Sequence, residues 1–356
     1  MKSFFLRSCI VVSWVAFIFL ILFWPKIHFF PDHSRSLHIL AWGDILDPKV
    51  IADFEQETGI RVHFNYYTSN EELLVKLKAT KGAGYDLIIP SDYAMPTLIQ
   101  ENLLQPIDKT ALPFWQELCP HLLNHAYDPN NQYSIPFAWE IFLFGAHKDS
   151  FSSVTPSWKL LFDPKVINYR VAMTNDPIEA VLFASFYLFG PDKTSLSPAE
   201  VEQVKELLIQ QKQWVEAYAS FRGDYFLATG SCKLAIASSS YFWRTLQLFP
   251  SLTLLVPEEG TFLTIENLAL PRLSQKQPWT YELIRYLFRQ ESIASHFTTF
   301  GFFPATLHSK EEKLPLSPEA RNLLLSLETE QDKFHFIYEI LSRQQTNELW
   351  VEVKLK

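Results

Sequence analysis

The sequence predicts an α/β protein of two lobes, each a mostly parallel sheet flanked by helices, with a cleft between them. Three observations carry this. Strand-like and helix-like segments alternate at the spacing that parallel strands joined by crossover helices require. The alternation breaks at a turn signal, DPNN, and then restarts. Finally, 356 residues are too many for one ordinary core, and 48% hydrophobic with 20% charged residues excludes a disordered chain.

The elements follow in order. The N-terminal MKSFFLRSCIVVSWVAFIFLILFWPKIHFF sets Lys2 and Arg7 ahead of an apolar run from Cys9 to Trp24, the pattern of an export signal. That run is short against the ~20 residues a bilayer requires, yet no small-x-small cleavage site follows it. Residues 1–30 therefore read as a signal peptide or an uncleaved membrane anchor. Cys9 stands at the start of the apolar run and not after it, so it is not a lipoprotein cysteine. The basic residues on the short side place the remainder outside the cytoplasm, in the periplasm where the cell has two membranes.

SLHILAW is strand-like, and DPKVIADFEQETG follows as a helix opened by Asp47 and Pro48 and closed by Gly59. IRVHFNYY is a second strand. SNEELLVKLKATKG is a capped helix with apolar Leu73, Leu74 and Leu77, YDLIIP a short buried strand, and MPTLIQENLL a further helix. After DPNN the alternation resumes with WKLLF and YRVAMT, a helix opened by Asp176, a long amphipathic helix from near Ser197 to Ala219, and KLAIASSS.

Charge and cysteine content narrow the function. A formal net charge of -8 argues against nucleic acid or an anionic membrane surface as partner and leaves cationic ligands open. Cys119 and Cys232 read as small buried residues, and two thiols allow one disulfide without requiring it. The spacing of His121 and His125 would place both on one face of a helix, but no acidic third ligand accompanies them, so no metal site is expected. No P-loop, GxGxxG motif or internal repeat appears.

Ligands of open α/β sheets bind beyond the carboxyl ends of the strands. HILAW is followed by Gly43 and Asp44, DLIIP by Ser91, Asp92 and Tyr93, RVAMT by Asn175 and Asp176, and KLAIA by Ser238, Ser239 and Ser240. Acids and aromatics gather at these ends without a lysine or arginine among them. Each has a local reading as well: Asp44 as a turn residue, Ser91 and Asp92 as caps, Trp42 as core, and Asp176 with Glu179 as a capping box. Together they describe an anionic, aromatic cleft suited to an organic cation, because ring faces attract ammonium groups and carboxylates accept their N–H bonds. Asp176 and Glu179, if both stay ionized, outweigh the half-charge of the helix N-terminus behind them.

At these residues the chain resembles the spermidine/putrescine-binding proteins of bacterial ABC uptake systems. The matching stretches include LHILAWGD, FEQETGIRVHFNYYTSNEELLVKLKA, GYDLIIPSDYAM, LLQPIDKTAL, YDPNNQYSIPFAWE, TNDPIEA and VPEEGTFLTIENLALP, and they cover most of the chain from Leu37 to Pro304. The resemblance implies a two-lobed periplasmic binding protein fold of the second type, with chain crossovers forming a hinge. Lobe 1 is expected over 37–142 plus 266–308, and lobe 2 over 143–265 plus 309–356. It implies that Asp44, Asp176, Glu179 and Glu266 meet ammonium groups, with Trp42, Ser91 and Tyr93 beside them. Asp92, from its strand end, and Phe302 complete the candidate binding set.

Ile45 and Phe302 stand where tyrosines are usual in that family, and Ser238 and Thr264 where tryptophans are usual. The aromatic wall is therefore expected to be thin, with Trp243 a candidate to refill it. The expected function is capture of a polyamine, spermidine or putrescine, and delivery to membrane permease subunits by a monomer that needs no cofactor and performs no reaction. Alternatives are a receptor for another organic cation, a membrane-tethered polyamine sensor, or a secreted hydrolase using paired carboxylates.

Overall fold

The computed structural model describes Trp14 and residues 35–219, 223–306 and 333–356. The expected signal or anchor at residues 1–30, Trp14 apart, lies outside the described residues, as do residues 309–332 of the expected second lobe.

Strand β1 (Ser36–Trp42), helix α1 (Pro48–Thr58), β2 (Arg61–Tyr67), α2 (Asn70–Thr80), β3 (Leu87–Ile88) and α3 (Met95–Gln100) build a parallel sheet in the order β2-β1-β3. β1 is apolar on both faces, as a parallel strand covered on both sides must be. Leu37, Ile39 and Ala41 pack with Val50, Ile51 and Phe54 of α1. Leu40 packs on the other side with Leu73, Leu74 and Leu77 of α2. Asp47 caps α1 by accepting from the Lys49 N–H at 2.9 Å, and Gly59 closes it at φ 69, a left-handed conformation that costs glycine nothing.

The chain then enters β4 (Ile135–His147), a buried strand of 13 residues. After α4 (Lys148–Phe151) and α5 (Lys159–Phe162) come β5 (Val171–Met173), α6 (Pro177–Phe189), α7 (Pro198–Gln211), β6 (Val215–Tyr218), α8 (Gly223–Ala228), β7 (Leu234–Ser238), α9 (Ser239–Leu248), β8 (Leu252–Leu255) and β9 (Thr261–Leu268). α10 (Gln277–Leu287), α11 (Gln290–Phe300), β10 (Phe303–Pro304), β11 (Phe334–Phe336) and α12 (Arg343–Leu355) complete the described elements. The second sheet runs β11-β9-β4-β7-β5-β6. β5 is parallel to β6 and β7, whereas β4 is antiparallel to β7, β8 and β9.

β4 and β9 join the two bodies. The first half of β4 pairs with β9 and its second half with β7, while isolated bridges from Ser91 to Glu266 and from Ile88 to Ala269 carry the end of β9 toward β3. Phe183, Phe262 and Trp350 center a core under α6 and α12, and a further core joins Ile39 of β1, Ile141 of β4, Ile265 of β9 and Phe242 of α9.

Two sequence expectations change. The long helix expected to reach Ala219 stops at Gln211, because Gln211 and Trp214 turn inward and donate to the Leu161 carbonyl at 3.1 and 3.2 Å, and residues 215–218 then pair with β5. WKLLF forms the short helix α5, whose Leu160, Leu161 and Phe162 are all buried.

Candidate functional site

A cavity of about 560 Å³ lies between the two bodies, at the carboxyl ends of the parallel strands of both. β1 supplies Trp42 and the turn Gly43, Asp44, Ile45; the segment after β3 supplies Ser91 and Tyr93. Thr174 follows β5, Glu179 stands in the first turn of α6, and Ser238 ends β7. The shared strands enter from behind: Glu140 and Phe142 of β4 and Thr264 and Glu266 of β9 all face the cavity. Trp42, Asp44, Ser91, Tyr93, Glu179, Glu266 and Phe302 of the expected set therefore come together, and Asp92 and Asp176 are not on the lining.

Asp176 is spent locally. Its Oδ1 accepts from the N–H groups of Ile178 and Glu179 at 2.8 and 3.1 Å, so it caps α6 and offsets that helix's partial positive end. The reciprocal half of the expected capping box does not form, since the Asp176 N–H donates to Thr174 Oγ1 at 3.1 Å. Glu179 is thereby released to the cavity, where Thr174 Oγ1 donates to its Oε2 at 2.5 Å. Asp92 sits behind the wall, accepting from Thr264 Oγ1 at 3.1 Å.

Glu266 is fixed from two sides. Ser91 Oγ donates to Oε1 at 2.7 Å and the Trp42 indole N–H to Oε2 at 3.0 Å. The Trp42 ring leans on Tyr67 with centroids 4.5 Å apart. These contacts join β1, the loop after β3 and β9 at one carboxylate.

Sequence reasoning missed several polar residues on the lining, among them Glu140, Asp224 and Tyr241. Glu140 is 8% exposed and accepts from Ser240 Oγ at 2.5 Å. Its signal was an isolated acid inside the apolar run IPFAWEIFLFGAH. Tyr241, not Trp243, contributes an aromatic surface beside Ser238. Trp243 packs away from the cavity, its ring 5.0 Å from that of Phe297 and its Cβ held where a side chain at Gly301 would collide.

Burial governs the acids of this site. Glu179 is held well above the usual carboxylate range by desolvation and then by the charge of Asp176. Glu266 is also held well above it by desolvation, against the opposing Ser91 bond. Burial raises Glu140 and Asp176 too, and pushes Asp92 up to about 7. No lysine, arginine or histidine stands among the described lining residues. The arrangement is thus a set of carboxyls that gain from a cation placed among them, walled by Trp42, Tyr67, Tyr93, Phe142, Tyr241 and Phe302.

Residues 49–320 match the family of bacterial extracellular solute-binding proteins. This chain belongs to that family. It is 30% identical over 290 residues to the spermidine/putrescine-binding periplasmic protein of Salmonella typhimurium, covering 81% of this chain and 82% of that one. It is 26% identical over 288 residues to a putrescine-binding periplasmic protein of Escherichia coli, covering 76% and 77%. The fold matches that of a putative spermidine/putrescine ABC transporter from Listeria monocytogenes at TM-score 0.78 and 24% identity, over 90% of this chain and 99% of the other. The two-lobed fold of a solute-binding protein is thus established, and among the described residues no helix is long and apolar enough to cross a membrane.

His121, His125 and the two cysteines lie apart from this cavity. The His125 ring stacks on Tyr127 and is tilted against Phe336, and no group of metal-ligating side chains occurs among the described residues. Cys119 and Cys232 are both buried and form no disulfide with one another.

Proposed function

We propose that this protein captures polyamines, spermidine or putrescine, in the cleft between its lobes and delivers them to the permease of an ABC transporter outside the cytoplasm. The supporting observation is the lining itself: Asp44, Glu140, Glu179, Asp224 and Glu266 with six aromatic rings and no basic residue among the described ones. Glu179 and Glu266 anchor ammonium groups, Asp44 adds charge at the β1 turn, and Trp42, Tyr93 and Phe302 pack the methylenes. Asp176 and Asp92 act through what they hold in place. The lobes comprise 37–142 with 266–308 and 143–265 with 309–356, so the hinge falls within β4 and β9. The protein works as a monomer, carries out no reaction and reaches the periplasm through its N-terminal segment.

The test is a thermal-shift screen against putrescine, spermidine, maltose and phosphate. Polyamines are expected to raise the melting temperature, since a ligand bound only by the folded state stabilizes it. A response to maltose or phosphate without a response to amines would contradict the proposal.

A further inference from the structure

We propose that Glu140 is a further ligand-binding carboxylate, which receives an internal ammonium group and so selects polyamines that carry a charge between their two ends. The inference rests on the polyamine reading above and names the ligand class within it.

The placement follows from strand register. In the antiparallel pairing of β4 with β9, Glu140 lies opposite Thr264 and Ala138 opposite Glu266. Glu140 and Glu266 therefore share one face of the sheet, one step apart. On the other side of β4, Phe142 lies opposite Ser238. Small hydroxyl side chains, Ser238, Ser240 and Thr264, surround Glu140, so nothing bulky stands between its carboxylate and the cavity.

The energetics point the same way. A carboxylate 8% exposed inside an otherwise apolar strand is costly unless a cation or several donors meet it. The donors that meet it, the Ser240 and Ser238 hydroxyls and the Ser240 N–H, are all neutral and leave its charge uncompensated, and no basic side chain among the described residues lines this cavity. The charge of Glu140 also acts on both Glu179 and Glu266, the acids of the two opposing walls. A linear amine with its ends at those two acids then carries its middle past Glu140.

Spermidine and 1,8-diaminooctane separate the possibilities, because both place eight atoms between their terminal nitrogens and only spermidine has a charged one among them. Titration calorimetry of the whole protein is expected to show tighter binding of spermidine by about tenfold to a hundredfold, the worth of a charged hydrogen bond. Glu140→Gln is expected to erase that preference while leaving the affinity for 1,8-diaminooctane within about threefold, because the diamine places no charge at that carboxylate.

An equal loss for both ligands, or an unchanged ratio in Glu140→Gln, overturns the proposal. If the variant does not fold, the unmodified protein still decides: equal affinity for the two ligands contradicts an internal anchor. Failure of both ligands to bind the unmodified protein refutes the polyamine reading itself, which is a different result.

Discussion

Asp176 and Glu179 divide between them two tasks that the sequence motif TNDPIEA leaves merged. Asp176 holds the first N–H groups of α6, and Glu179 faces the cavity. Glu179→Gln is therefore expected to weaken spermidine binding by about 1.5–3 kcal/mol, the range for a hydrogen bond to a charged group, with little change in urea unfolding. Asp176→Ala is expected to lose about 1 kcal/mol of stability through the cap. Exchanged outcomes for the two variants would reverse the assignment.

A second expectation concerns Asp92, raised from 3.8 to about 7 by burial. The folded chain binds this proton and the unfolded chain does not across that interval, so stability is present at low pH and lost as pH rises toward 7. Buried His296 and half-buried His125 and His335, all lowered by desolvation, act in the opposite sense near their unfolded value of 6.5. Comparing Asp92→Asn with the unmodified protein cancels the histidines. The stability of the variant relative to the parent should grow from about pH 5 to about pH 8; a constant difference would contradict the raised value. Acids placed just beyond strand ends were legible in the sequence because strand termini are readable. Glu140 was not, since it enters the cleft from the middle of a strand.

Elements were legible where periodicity and caps agreed. β1, α1, β2 and α2 have Asp47, Gly59 and Ser69 as punctuation, and the structure keeps them. β4 was hard to read because a strand buried on both faces is a nearly continuous apolar run without alternation. The end of α7 was misjudged because Val215 and Ala217 continue an apolar pattern that a period of two also fits. β4 is packed closely enough to give its own prediction. A Cβ at Gly145 would meet Phe242 Cε1 at 2.4 Å and Leu227 Cδ1 at 2.6 Å. Both neighbors are fully enclosed. Gly145→Ala is expected to cost about 1–3 kcal/mol in urea unfolding through overpacking; a neutral result would mean this strand can shift.

Across the whole molecule, two α/β bodies and a cleft between them follow from the alternation that restarts after DPNN, but what holds them together is not local. Arg343 of α12 reaches Glu71 of α2 at 3.4 Å, linking the two bodies. Side-chain exposures of 28% and 48% limit what that pair contributes to closure. Glu71→Gln is expected to weaken polyamine binding by no more than about 1 kcal/mol, through faster dissociation and only at low salt. A larger, salt-independent loss would show a tighter interlobe lock than this geometry provides. No window of sequence could pair residues so far apart in the chain.

The claim that a cation replaces protons in a buried carboxyl cluster is tested most directly by calorimetric titration with spermidine at about pH 5 and about pH 8. Glu140, Glu179 and Glu266 are all raised by burial. At the lower pH the ligand must therefore expel protons before it can be held. The account predicts tighter binding at the higher pH, with protons released to the buffer. Absence of binding at both values, or tighter binding at the lower one, would contradict it.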